Sequence, residues 1–185
     1  MPYDPKIHHR RSIRLPGYDY SQTGAYFVTI CAHQKKHLFG EVIEGEVKTN
    51  EIGEMIWLYW DHLPRRYPNI EIDKFVLMPN HIHGIIRIVE PVRAIHESPR
   101  KTSRDSVGAV HEPPLRRKML LAKIIGYFKM NTAKRINEMR GLAGVPVWQR
   151  NYYEHIVRND DELNKIRDYI VTNPLRWPTD PENLI

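Results

Sequence analysis

Apolar and polar positions change their period several times along this chain, and each change predicts an element. GAYFVTICAH (Gly24–His33) is dense in β-branched and aromatic residues and predicts a first strand. HLFGEVIEGEVKTN predicts a hairpin that turns at Gly45. The period then lengthens to that of a helix in TNEIGEMIWLYWDHLPRRYP. Asn50 is placed to cap it, and Ile52, Met55, Ile56, Trp60 and Leu63 share one face. IEIDKFVLMPN and HIHGIIRIVE return to strand character and join near Pro79-Asn80.

Periodicity lapses in residues 91–118, PVRAIHESPRKTSRDSVGAVHEPPLRRK, where proline, serine and charge predict a long flexible insertion. The echo between RAIHESP and GAVHEPP is local composition and implies no repeat fold. MLLAKIIGYFKMNTAKRINEMR resumes as a helix with Leu121, Ile124, Ile125, Phe128, Thr132 and Ile136 on one face. VPVWQRNYYEHIVR predicts a short strand or extended segment. In NDDELNKIRDYIVTNP, Asn159 can cap a last helix, with Glu162 three residues on as its capping-box partner. Leu163, Ile166 and Ile170 would face the core, and Pro174 is expected to end the helix. Strands mixed with helices, several of them antiparallel by their short connections, predict an α+β fold.

Composition narrows the function classes. The 185 residues suit one domain, and 41% hydrophobic residues suffice for a core. A mean hydropathy of -0.55 indicates a soluble protein, and no apolar run approaches the ~20 residues that span a bilayer. MPYDPKIHHRRSIRL has no apolar stretch of the kind a secretory signal needs. The single cysteine, Cys31, is expected as a buried thiol in a reducing cytoplasm. The net charge of +6 is unevenly placed. Residues 1–14 carry four basic residues against one acid, and residues 91–118 carry seven against three. Positive charge gathered in an arm and a loop suits an extended polyanion, although a merely solvated surface has the same composition.

The candidate chemistry begins at HIH. On a strand, His81 and His83 project to one side while Ile82, Ile86 and Ile88 project to the other. Two neutral imidazoles at that spacing can chelate a divalent ion. With ten histidines in the chain, chance alone gives about half an H-x-H, so a further ligand is needed. The last helix offers Tyr169 and Asn173, four residues apart and so on one face. A tyrosine can act as a nucleophile and an amide oxygen can ligate a hard cation. A packed tyrosine and a helix-capping asparagine would show the same spacing.

Taken together, MPNHIHGII and VWQRNYYEHIVRNDDELNKIRDYIVTNPLRW resemble the REP-associated tyrosine transposases, relatives of the small single-strand insertion-sequence transposases within the HUH class of nucleases. The ordered match runs from about residue 12 to 177. It implies a ferredoxin-like or RRM-like sandwich, with a central antiparallel sheet and helices on one face. It implies His81, His83 and Asn173 as ligands of Mg²⁺ or Mn²⁺, and Tyr169 as the catalytic tyrosine. His155 is a competing third ligand or a DNA contact. The implied partner is single-stranded DNA beside a hairpin, cleaved and rejoined through a 5′-phosphotyrosine link. The implied organisation is a basic arm (1–14), a transposase domain (15–177) carrying the insertion, and a tail (178–185). Arg10, Arg11, Arg14, Lys123, Lys129, Trp148, Arg150 and Tyr152 are candidate DNA contacts. Monomer and homodimer are both open, as is a copy domesticated to serve host repeats. The rivals are a non-catalytic RRM-like binder, with Phe75 among its stacking aromatics, and a metal-dependent hydrolase of small phosphoesters that uses water.

Overall fold

The structure is a computed structural model describing residues 18–89 and 119–183. The predicted arm with Arg10, Arg11 and Arg14, and the insertion 91–118, lie outside the described residues. The elements are β1 (Gly24–Cys31), β2 (Gly40–Ile43), β3 (Glu46–Thr49), α1 (Glu51–Asp61), α2 (Leu63–Arg66), β4 (Ile70–Leu77), β5 (His81–Ile88), α3 (Leu120–Met139), β6 (Tyr153–Val157) and α4 (Asp160–Arg176).

Four strands form an antiparallel sheet in the order β4-β5-β1-β6, and β2-β3 is a separate hairpin. With that hairpin set aside, the chain reads strand, helix, strand, strand, helix, strand. The two central strands are the first and third of these four. This is the ferredoxin-like arrangement, and the protein is α+β with helices packed on an antiparallel sheet. The hairpin turn has positive φ at both Glu44 (53°) and Gly45 (78°), the geometry whose twist matches paired strands.

Strand alternation divides the packing. Tyr26, Val28 and Ile30 of β1, with Ile82, Ile86 and Ile88 of β5, face α1 and α3. There they meet Ile56, Trp60, Leu121, Ile124, Ile125, Phe128 and Ile136 in the main core. Gly84 lies under Trp60, where an added Cβ would come 2.4 Å from the indole ring, so the close approach requires glycine. The other sheet face carries Phe27 and Ile85, covered by Leu163 and Ile170 of α4. Helices on one face were expected. Here a third helix covers the opposite face, because Phe27, Ile85 and Val76 leave that side apolar enough to need a cover.

Local signals explain most boundaries. The Asn50 side chain accepts from Gly53 N at 3.0 Å, and that of Asn159 accepts from Glu162 N at 2.8 Å. The reciprocal half of the expected capping box is displaced by one residue, since Glu162 accepts from Arg158 N at 2.7 Å. The first predicted helix is two pieces, with Pro64 in the first turn of α2, where a missing N–H costs least. Pro174 does not end the last helix, which runs on to Arg176. Only the bond to the Ile170 carbonyl is forgone so near the end, and Trp177, 8% exposed just beyond, holds the chain in the helical path.

Candidate metal centre and tyrosine

Antiparallel pairing sets His81 opposite Cys31 and His83 opposite Thr29. Both imidazoles lie under α4 and are buried, 0% and 3% exposed. Asn80 orients the first. Its Nδ2 donates to the Lys35 carbonyl at 3.1 Å and the Glu182 carbonyl at 2.8 Å. Its Oδ1 is thereby left as an acceptor 2.7 Å from His81 Nδ1, which must carry the proton. His81 Nε2 is then an unprotonated lone pair directed into the site. The Thr29 hydroxyl holds His83 Nδ1 at 2.8 Å.

The two Nε2 atoms are 3.0 Å apart. Bare lone pairs repel at that distance, so a proton or a cation must lie between the rings. Cis donors on an octahedral ion with ~2.1 Å bonds are separated by about 3 Å. Asp180 completes the group: His81, His83 and Asp180 each offer a ligand atom, all within 4.8 Å of one another, and all three residues are buried. The Asn173 amide also faces this group. Its Nδ2 donates to Asp180 Oδ2 at 3.1 Å, which fixes the amide's orientation, while its Oδ1 is buried with no partner. An orphaned buried carbonyl costs about 1–3 kcal/mol unless something takes its lone pairs. Two imidazoles, a carboxylate and an amide oxygen fit a divalent cation such as Mg²⁺ or Mn²⁺.

Tyr169 reaches the same place from α4. Its hydroxyl is 3.2 Å from His83 Nε2, and the rings meet edge-on with centroids 5.1 Å apart. Phe27 stacks on His83 at 5.5 Å and meets Tyr169 at 6.1 Å, forming an apolar wall. Arg167, two residues earlier on α4, grips Asp73 of β4 with two hydrogen bonds, of 3.0 and 2.5 Å, and ties the helix to the sheet edge.

Burial sets the protonation states. It pushes His81 down to about 4, and pushes His83 well below its usual value with help from the adjacent His81 ring. Both rings are therefore neutral ligands at pH 7. The Tyr169 phenol is raised, first by burial and then by the Asp180 charge, while the Asn173 amide acts the other way. Cys31 is half-buried, on this same face, with Sγ 3.3 Å from the Glu182 carboxylate; burial and that carboxylate push its thiol up to about 12.

Tyr169, His81, His83 and Asn173, four residues singled out from the sequence, thus converge. His155 is elsewhere on this face, with Nε2 2.8 Å from Glu162 Oε1, and is outside the His-His-Asp group. The Lys129 ammonium donates to the carbonyls of Gln149, Arg150 and Asn151 at 2.6, 3.1 and 3.2 Å, and burial pushes it down to about 8. It braces the loop formed by these residues. Trp148 is in the main core, 7% exposed, with its indole N–H donated to Thr132 at 2.9 Å, so it offers no stacking platform. Lys123 and Arg150 are exposed and Tyr152 is half-buried; Lys123 is on α3, the helix across the sheet from the histidines. Asp180 is not legible from the sequence because it falls in PTDPE, within the predicted tail (178–185), and nothing periodic marks it.

The fold and the site define a ferredoxin-like α+β protein with a buried His-His-Asp group that could hold a metal ion beside a tyrosine. The chain belongs to the same family as a Haemophilus influenzae (strain ATCC 51907 / DSM 11121 / KW20 / Rd) protein described as an uncharacterized protein. The two are 38% identical over 181 residues, covering 96% of this chain and 95% of the relative. No protein-family model matches the chain. A solved REP-associated tyrosine transposase bound to a REP hairpin is similar in structure, with a TM-score of 0.49 and 19% identity over 90% of this chain and 74% of that one. A candidate transposase from Deinococcus radiodurans is similar at a TM-score of 0.45 and 11% identity, over 85% of this chain and 96% of that one.

Proposed function

We propose that this protein is a metal-dependent nuclease and strand transferase for single-stranded DNA next to hairpin elements. The observation that carries this reading is the Tyr169 hydroxyl 3.2 Å from His83 Nε2, at the edge of a buried donor group that suits a divalent cation. His81, His83 and Asp180 would hold the ion, with the unpaired Asn173 Oδ1 as a further candidate donor. When bound, the ion neutralises charge on the scissile phosphate and steadies the departing oxygen.

The chain's own residues account for the rest. Tyr169 Oη attacks phosphorus in line; the P–O3′ bond breaks as the Oη–P bond forms. Because the resting phenol is protonated, its proton leaves as the bond forms and ends, overall, on the released 3′ oxygen. The products are a 5′-phosphotyrosine and a free 3′ hydroxyl. The ester conserves the phosphodiester bond energy, so the hydroxyl of another strand can reverse the step without ATP. Phe27 and the edge of His83 hold the phenol ring, and the Arg167–Asp73 pair holds its helix. Phosphoester hydrolysis by water would give Tyr169 no role. Stacking of bases across the central strands of the sheet is disfavoured because both faces are covered there, and Phe75 is stacked on Trp60 at 4.9 Å.

The test is incubation of labelled hairpin DNA carrying single-stranded flanks with the protein and Mn²⁺ or Mg²⁺. The expected result is a covalent protein–DNA adduct that survives denaturation and is absent from Tyr169→Phe. Tight binding with no adduct across flank sequences and both metals would overturn the reading.

A further inference from the structure

Beside the metal-ligand group is a cavity of about 300 Å³ that the chemistry above does not use. Its lining includes Thr29 and Cys31 of β1, Gln149, Asn151, Tyr153 and Glu182. Its position is tied to the site at two points. Thr29 is the residue that holds His83, and Glu182 lies two residues beyond Asp180, whose Oδ1 accepts from Glu182 N at 2.7 Å. A strand whose phosphate lay at Tyr169 would have its neighbouring nucleotide within reach of this cavity.

We infer that this cavity receives one unpaired nucleobase flanking the cleaved phosphate, and that Gln149 and Asn151 read its identity. The inference rests on the proposed single-strand function and adds a specificity subsite to it. Three observations carry it. First, the volume accommodates a single planar base. Second, Tyr153 is 54% exposed, and its ring is braced edge-on by Phe27 at 6.3 Å, so it offers a fixed face on which a base can stack. Third, the side-chain amides of Gln149 and Asn151 each carry a donor pair and an acceptor, the complement of a base's hydrogen-bonding edge. The segment that bears them is also preorganised. Gln149 N donates to the Cys31 carbonyl at 2.9 Å, and the Lys129 ammonium clamps the carbonyls of residues 149, 150 and 151. Two reading groups on a clamped loop lose little entropy on binding.

The roles of the wall and the amides are separable. Stacking on Tyr153 is indifferent to base identity, whereas the amides discriminate. An amide that pairs with one base and is left unpaired by the others gives about 5- to 150-fold discrimination.

A pool of DNA hairpins with a randomised single-stranded flank, bound to full-length protein and sequenced after recovery, reads this directly. Wild type is expected to enrich one base at one flank position by about 10-fold or more. Gln149→Ala with Asn151→Ala should flatten that position and leave other enriched positions unchanged. Tyr153→Leu should weaken binding about 10-fold across all sequences while keeping the preference. Circular dichroism confirms that each variant is folded, and Asn151→Asp, which alters the hydrogen-bond pattern without changing shape, should shift the preferred base. No enriched position, or a preference unmoved by all the amide variants, would overturn the subsite. The readout is binding, so an enriched, amide-dependent position without any covalent adduct would sink the cleavage reading and leave the pocket standing.

Discussion

The two faces of the sheet are built differently. The face under α1 and α3 is a continuous apolar core in which Trp60, Phe128 and Ile82, Ile86 and Ile88 of β5 are fully or almost fully buried. The face under α4 has a small apolar patch around Phe27, Ile85, Leu163 and Ile170, and gives the rest of its buried area to imidazole, carboxylate and amide groups. Apolar burial supplies the net stability of a domain, whereas buried polar groups must find partners merely to avoid a penalty. The same strands therefore carry the apolar core on one side and the candidate site on the other, and β5 alternates between them residue by residue.

That division can be broken experimentally. The largest effect is expected from Tyr169→Phe, which removes the proposed nucleophile and little else. Adduct formation should vanish, while urea unfolding changes by less than about 1 kcal/mol, since the lost hydroxyl sits at a half-buried edge. A residual adduct would move the nucleophile elsewhere. On the opposite face, Phe128→Ala should cost ~3–5 kcal/mol of stability and yet keep adduct formation at temperatures where the variant is folded. Equal loss of both properties in this variant would show that the two faces are not separable.

Metal binding should respond in graded fashion. His81→Ala or His83→Ala removes a proposed ligand, and Mn²⁺ affinity by calorimetry should drop beyond detection. Asn80→Ala leaves both imidazoles but frees the His81 ring from its orienting acceptor, with an expected loss of about 10- to 100-fold. If Asn80→Ala bound Mn²⁺ as wild type does, the tautomer assignment of His81 would be wrong.

The smallest effect is on pH dependence. His81 is held down to about 4, against a usual value near 6.5 in the unfolded chain. Between these values the unfolded state binds the extra proton, so metal-free stability falls as pH drops from about 6.5 toward 4. Above that window both states are neutral and the contribution is flat. His81→Asn should show a shallower slope over the same window in urea titrations; identical slopes would remove His81 as the cause.

Much of this could be read along the chain. Period-two alternation put His81 and His83 on one side of β5, and four-residue spacing put Tyr169 and Asn173 on one side of α4, because those periods are properties of the backbone itself. The helix caps at Asn50 and Asn159 were legible for the same local reason. The side to which α4 packs was not legible, since an amphipathic helix shows that it must cover something without showing which sheet face is free. Asp180 was hidden because its place depends on the chain continuing past Pro174 and then turning back under Trp177. The burial of Trp148 and the bracing contacts of Lys129 were not legible either, because the surroundings of each side chain come from the packing of α3 against residues 147–151.

The sequence by itself determined the elements, the apolar stripe of each and the pairs of chemical side chains within an element, all set by interactions over a few residues. Only the tertiary structure decided that β5, α4 and the segment after it meet at one point. That meeting is set by how the remaining apolar surface is covered, a property of the whole chain and of no single stretch of it.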